Sequence, residues 1–75
     1  MSTSEWLSRY ASALGVDPPS EDDQNALLEL AATAAHTSDR LAAPLTCWLA
    51  ARSGKSVSVA LETAVALAAE VDEGS

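Results

Sequence analysis

An all-α fold of four helices, packed as one compact domain around a short buried third helix, is predicted by this sequence. Apolar residues recur three and four positions apart, which is the spacing of one helix face, and no strand-like alternation is long enough to count. Prolines and glycines divide the chain into four such segments, at about residues 3–14, 21–36, 44–53 and 57–71. The 75 residues suffice for one hydrophobic core and not for a second, so we expect a single helical domain over 1–75.

The first predicted helix begins at a capping box. The Ser2 hydroxyl can accept a hydrogen bond from the backbone N–H of Glu5, while the Glu5 side chain reaches back to Ser2. The helix should end at Gly15, because glycine readily adopts the left-handed conformation found after helix C-termini. Polar residues fall on one side, and the apolar residues on the other side are Trp6, Leu7, Tyr10, Ala11 and Leu14.

The second predicted helix follows an extended connector. Residues 16–19 include two adjacent prolines, and each proline disfavours helical geometry in the residue before it. Ser20 then caps the helix, and three acidic residues at 21–23 suit the positive end of the helix dipole. The inner face is predicted to consist of Leu27, Leu30, Ala31 and Ala34. The outer face is predicted to consist of Asp22, Asn25, Glu29, Thr33 and His36.

The third predicted helix is expected to be the buried centre of the domain. From Leu41 to Ala51 the chain carries no charge and only Thr46 is clearly polar, so few faces of this helix suit water. Pro44 fits a first helical turn, where a missing backbone N–H costs nothing, and the preceding helix cannot run through it. We therefore predict that the large side chains of Leu45 and Trp48 are shielded from water.

The fourth predicted helix is capped by Ser56 or Ser58, because a serine hydroxyl can accept from the free N–H groups of a first turn. Its apolar residues recur at helical spacing and should face the core. These inward residues are Val57, Leu61, Ala64, Ala68 and Val71.

The charge of the chain argues against two kinds of partner. The formal net charge is −7 at pH 7, with only four lysine and arginine residues. Binding to nucleic acid or to an anionic membrane surface depends on clustered basic side chains, so we expect neither. No apolar run approaches the roughly 20 residues needed to cross a bilayer. A single cysteine, Cys47, cannot form an internal disulfide and no leader precedes Trp6, so we expect a cytoplasmic protein.

The residues with reactive or metal-binding side chains are not spaced for catalysis or metal binding. The adjacent acids at 21–23 lack the alternate spacing of a calcium loop. His36 and Cys47 are the only nitrogen and sulfur ligands suited to zinc, and a structural zinc site needs about four ligands. Cys47 has Thr46 and Trp48 as neighbours rather than a base that would activate it. We therefore predict no metal, no cofactor, no catalytic residue and no enzymatic activity.

A carrier-protein-like domain is the alternative function, because acyl and peptidyl carriers are also acidic four-helix domains of this length. Carriers attach their prosthetic group to a serine that follows an aspartate at the start of their second helix. No serine follows an aspartate in this chain: Ser20 follows Pro19, and Ser38 precedes Asp39. The alternative therefore lacks a convincing attachment site.

The run from His36 to Thr46, His-Thr-Ser-Asp-Arg-Leu-Ala-Ala-Pro-Leu-Thr, resembles a small, functionally uncharacterised bacterial family of about this length. Members occur alone or fused behind molybdenum cofactor guanylyltransferases. The family pattern has a histidine and an arginine four apart, then Ala-Ala-Pro-Leu-Thr, a hydrophobic helix and a glycine, and the early Glu5-Trp6-Leu7 also fits. The matching residues are His36, Arg40, Ala42, Ala43, Pro44, Leu45, Thr46 and Gly54. One departure is Ala50, where many members have glycine.

The resemblance implies a non-enzymatic accessory or interaction module associated with molybdenum cofactor biosynthesis, with a guanylyltransferase as the protein partner. It implies a contact patch of His36, Arg40 and Thr46. On physical grounds, His36 and Arg40 would lie at the mouth of the turn into the third helix. The free backbone N–H groups of the residues after Pro44 would be next to them, so an anion could be held there. The alternative is that Arg40 pairs with a local acid such as Asp39 or Glu62, and that Thr46 bonds within its own turn.

Overall fold

The structure is a computed structural model that describes the backbone of residues 1–74 and the side chains of residues 1–71. Over that range the chain forms four helices and no strand, which confirms the predicted all-α, four-helix fold. The helices are α1 (Thr3–Leu14), α2 (Glu21–Thr37), α3 (Ala42–Arg52) and α4 (Val57–Gly74). None of them is both long and apolar enough to span a membrane.

The caps by Ser2, Gly15 and Ser20 are present as predicted, but within the described residues the Glu5 side chain makes no return bond to Ser2, so the predicted capping box is only half formed. The Ser2 and Ser20 hydroxyls each accept a backbone N–H at 3.1 Å, from Glu5 and Asp23 respectively. Gly15 has φ of 77°, in the left-handed region, and so ends α1 as predicted. These caps depend on residues at most five positions apart, and sequence spacing is therefore sufficient to predict them.

The fourth helix also begins where one of the two predicted serines caps it. The Ser56 hydroxyl accepts the backbone N–H of Val59 at 3.2 Å, so Ser56 rather than Ser58 is the cap. Before it, Gly54 has φ of 72° and closes the turn after α3. The inward face is confirmed for Val57, Leu61, Ala64 and Ala68, which are half-buried, whereas Val71 is exposed.

The start of α3 differs from the prediction by two residues, and a turn closed by Asp39 leads into it. The Asp39 carboxylate accepts the backbone N–H of Leu41 at 2.7 Å, and the Asp39 carbonyl accepts that of Ala42 at 3.0 Å. The helix therefore begins at Ala42, with Pro44 as its third residue. Pro44 still lies in the first turn, where no intrahelical N–H is needed, as predicted.

The centre of the structure is α2, and the prediction that α3 is the buried centre is wrong. Both α3 and α4 pack along α2 and touch each other only slightly. Leu30 of α2 is only 1% exposed, and no residue of α3 is buried. Leu45 and Trp48, which we expected to be shielded, are 66% and 60% exposed.

The physical reason is that α3 uses its small side chains to pack. Its half-buried residues are Ala42, Ala43, Thr46, Cys47 and Ala50. Small residues let two helix backbones approach closely, and the larger side chains of the same helix then point away from the neighbour. In an uncharged helix, more than one side can face the core. A lack of charge therefore does not predict that the large side chains of the helix are buried.

The inner face of α2 agrees with the prediction except at one residue. Leu27, Ala31 and Ala34 are half-buried around Leu30, as predicted. Thr33 was expected on the outer face, but it is half-buried, and its hydroxyl donates to the Glu29 carbonyl at 2.9 Å. Threonine can occupy this position because its hydroxyl finds a partner within its own helix.

The first helix is amphipathic as predicted, but the large side chains of its apolar face remain about half exposed. Within the described chain, α1 packs against no other helix. Ala11 is buried and Leu7 is half-buried, whereas Trp6, Tyr10 and Leu14 are exposed. The connector that follows is held at both ends: the Val16 N–H donates to the Ala11 carbonyl at 3.0 Å, and the Gln24 amide donates to the Pro19 carbonyl at 3.1 Å.

Candidate interaction surface

The three residues of the predicted contact patch lie in different surroundings. His36 is exposed in the last turn of α2, and Arg40 is exposed in the turn between α2 and α3. Thr46 is half-buried in α3. Thr46 lines two grooves between α3 and α4, and neither His36 nor Arg40 lines either of them. The structure therefore places His36 and Arg40 near one helix corner and Thr46 on the α4 side of α3.

The three backbone N–H groups that precede Pro44 are all bonded within the turn, so they are not available to an anion. The Asp39 side chain and carbonyl accept the N–H groups of Leu41 and Ala42, and the Arg40 carbonyl accepts that of Ala43 at 3.2 Å. The next residue, Pro44, has no N–H. The Asp39 carboxylate also puts a negative charge where an anion would sit, so it replaces the anion at this helix start.

The two grooves meet where α3 and α4 diverge from α2. One groove is about 330 Å3 and has Leu30 in its lining, and the other is about 200 Å3 and extends towards the α2 C-terminus. Thr46, Ala64 and Leu67 line both. Because α3 and α4 each pack on α2 and barely on each other, the space between them remains open. We call the combined feature the α3–α4 groove.

Large apolar side chains form a second surface, on the side of α3 away from α2. Leu41, Leu45 and Trp48 are all exposed and lie four and three positions apart, so they form one stripe along the helix. The guanidinium carbon of Arg52 lies 5.4 Å from the Trp48 ring centroid, in cation–π range. We call Leu41, Leu45 and Trp48 the outer stripe. The sequence analysis missed it, although the spacing of large residues opposite alanines was visible.

The sequence segment that carries the outer stripe is basic, although it is flanked by Asp39, whose carboxylate accepts the Leu41 N–H, and by Glu62. Residues 40–61 contain three of the four basic residues and none of the eleven acidic ones. That segment therefore has a formal charge of +3, and the remainder of the chain has −10, which together make the net −7. Arg40 and Arg52 lie at the two ends of the stripe. An apolar surface with a basic rim attracts a partner whose own rim is acidic.

The first helix carries a third apolar surface. The rings of Trp6 and Tyr10 are stacked, with centroids 5.5 Å apart and planes within 9°. Leu14 continues the same face one turn further on and is also exposed. We call Trp6, Tyr10 and Leu14 the aromatic face. Aromatic side chains of this size contribute strongly to interfaces when they are covered.

The titratable side chains do not form a recognisable metal site in the part of the chain described by the structure. No three histidine, cysteine, aspartate or glutamate side chains come together there in a way that could hold a metal ion. Cys47 is a free thiol, half-buried in α3.

A comparison with protein families assigns the chain as a whole. The model of a domain of unknown function, DUF6457, matches residues 1–75. Searches of curated proteins and of solved structures found no match. Because the family model covers the full chain, the chain belongs to the DUF6457 family.

Proposed function

We propose that this chain is a non-enzymatic interaction module whose outer stripe binds a protein partner. The observation that carries the proposal is the arrangement of α3, in which the small residues pack inwards while Leu41, Leu45 and Trp48 face solvent. Contiguous exposed apolar patches rimmed by polar residues are a feature of protein interaction sites. Trp48, with Arg52 against its ring, combines the two residue types most enriched at interface hot spots.

The partner that fits this surface is apolar at its centre and acidic at its edge. Arg40 and Arg52 lie at opposite ends of the stripe, and Lys55 follows in the next turn. Charged pairs at the rim of an interface mainly raise the association rate, whereas the desolvated centre sets the dissociation rate. We therefore expect the complex to form more slowly as the salt concentration rises.

We propose a molybdenum cofactor guanylyltransferase as this partner. Support comes from the resemblance of the His36–Thr46 run to chains that occur fused behind that enzyme. His36 and Arg40 adjoin the end of the outer stripe that begins at Leu41, so they belong to the proposed contact. Thr46 faces the α3–α4 groove instead, and we expect it to respond less to binding than the other two.

The proposal can be tested by titrating the purified chain with the guanylyltransferase. We expect NMR shifts along the outer stripe and at His36 and Arg40. Trp48→Ala should weaken binding by about 30-fold or more, which corresponds to roughly 2 kcal/mol at a hot spot. Leu28→Ala is the matched control, because Leu28 is an equally exposed apolar residue on the outer side of α2.

Two results would overturn the assignment. If the shifts fall on α1 or on the outer side of α2, the binding surface is wrong. If the enzyme causes no shift at all, the proposed partner is wrong. Far-UV circular dichroism of each variant separates a lost contact from a lost fold.

A further inference from the structure

We infer that the α3–α4 groove receives the aromatic face of α1 from a second copy of this chain, so that the protein is a dimer with exchanged first helices. The inference concerns a different surface from the outer stripe and does not rest on the proposed function. It joins two features that are each incomplete in one chain: a groove open between two helices, and a helix with an uncovered apolar face.

The groove has the shape and chemistry of a helix-binding site. Leu30 lies in its lining from α2, Leu49 lines it from α3, and Leu67 lines it from α4. The α3–α4 groove is the position that a fourth helix fills in a four-helix bundle, where each helix packs on two neighbours. Amphipathic helices bind such grooves through apolar residues four and seven or eight positions apart.

The aromatic face of α1 has that spacing. Trp6, Tyr10 and Leu14 lie at successive intervals of four residues, and they cover one side of a helix of 12 residues. In the described chain, nothing from another helix lies against them. One copy of the chain thus provides one groove and one helix face that fits it, and two copies related by a two-fold axis would fill both.

The exposed area matches what a stable dimer would bury. The chain exposes 5789 Å2 of accessible surface. A folded monomer of 7.7 kDa typically exposes about 4,300 Å2, which leaves an excess on the order of 1,500 Å2. A standard interface takes about 800 Å2 from each partner, and obligate dimers take more. The excess is therefore large enough for the proposed contact.

The connector favours a second copy over the chain's own groove. It contains Pro18 and Pro19, whose rings fix φ, and hydrogen bonds to Ala11 and from Gln24 hold its two ends. To fold back onto its own bundle, α1 would have to change direction within residues 16–19, where the two proline rings allow little adjustment of φ. Exchange with a second copy leaves the connector as it is in the structure.

Sedimentation equilibrium of the full chain tests the dimer directly. Leu67→Glu puts a charge into the groove and should raise the dimer dissociation constant by about 30-fold or more, the equivalent of losing one buried leucine. Leu28→Glu is the matched control and should leave the constant unchanged, because Leu28 is exposed outside the groove. A monomeric wild type, or a dimer that tolerates Leu67→Glu, would overturn the inference.

Disulfide trapping then distinguishes exchange from closure within one chain. In a Cys47→Ala background, a chain with Tyr10→Cys is mixed with a differently tagged chain carrying Leu67→Cys. We expect a disulfide between the two tagged chains under mild oxidation. Ser12→Cys, on the opposite side of α1, replaces Tyr10→Cys in the control and should not cross-link to Leu67→Cys.

Each other outcome overturns the exchange. A single chain with both Tyr10→Cys and Leu67→Cys that closes an internal disulfide at monomer mass would show that α1 covers its own groove. A dimer without the Tyr10–Leu67 cross-link would show that another face holds the two copies together. A monomer without either cross-link would show that the aromatic face and the groove do not meet.

Discussion

The neighbouring helices α2 and α3 show opposite relations between composition and burial. α2 begins with three acidic residues, yet Leu30 at its middle is the most buried large side chain of the described structure. α3 carries no acid and only Arg52 as a base, yet none of its residues is buried. The difference arises because α2 has a helix on two sides and α3 packs on one main neighbour. Burial thus depends on the number of neighbours that a helix has, and not on its lack of charge.

The largest expected effect is at Leu30, where truncation would test whether α2 is the centre. Leu30→Ala should lower the free energy of unfolding by about 2–4 kcal/mol, because it removes a fully buried leucine from a small core. Leu28→Ala on the same helix, at 69% exposure, should change it by less than about 0.5 kcal/mol. Urea denaturation at one fixed protein concentration measures both values. Equal losses would mean that Leu28 is also covered.

Leu45 extends the same test to α3. Leu45→Ala should change the free energy of unfolding by less than about 0.5 kcal/mol, as for other exposed residues. A loss as large as that of Leu30→Ala would restore α3 as the buried centre of the fold. The same urea series provides the measurement, with Leu28→Ala as the exposed reference.

An intermediate effect is expected at the helix starts, where α2 and α3 use different caps. Asp39→Ala should cost about 1 kcal/mol, because it removes the 2.7 Å bond to the Leu41 N–H. Ser20→Ala should cost a similar amount through the 3.1 Å bond to Asp23. Arg40→Ala is the adjacent control and should cost little. If Arg40→Ala destabilises the fold more than Asp39→Ala, the arginine rather than the aspartate holds this corner.

The last prediction is that the chain does not accept a phosphopantetheine group, so its intact mass should stay the same. Incubation with a permissive phosphopantetheinyl transferase should leave the intact mass of the chain unaltered. Ser20, the serine at the start of α2, uses its hydroxyl as a helix cap. A known carrier domain in the same reaction serves as the positive control. A phosphopantetheine adduct on the chain would establish the carrier alternative and displace the interaction module.

Sequence reasoning succeeded wherever a structural feature depends on a few adjacent residues. The caps at Ser2 and Ser20, the left-handed Gly15 and the first-turn position of Pro44 were all predicted. The inner face of α2 was predicted at four positions, with Thr33 as the exception. The turn at Asp39 was missed, although an aspartate side chain commonly accepts the backbone N–H two residues on.

The side of α3 that packs on its neighbours, and the spatial arrangement of the contact patch, were harder to predict. For α3 both sides are apolar, so periodicity did not distinguish the alanine side, which packs on its neighbours, from the leucine and tryptophan side, which does not. The grouping of His36, Arg40 and Thr46 came from a sequence motif. In three dimensions, the 100° step per residue turns Thr46 towards α4 and away from the other two.

The amino-acid order was enough to specify that the chain forms four helices and where most of them begin and end. It also specified that the chain is acidic and that its third segment is basic. These properties follow from hydrogen bonds and charges within a few residues of one another. Only the tertiary structure showed that α2 is the centre, that α3 points its large side chains outwards, and that α1 has no partner helix in its own chain. Those properties depend on which helices pack against each other. A helix with two apolar sides can pack through either side, so the sequence permits more than one packing arrangement.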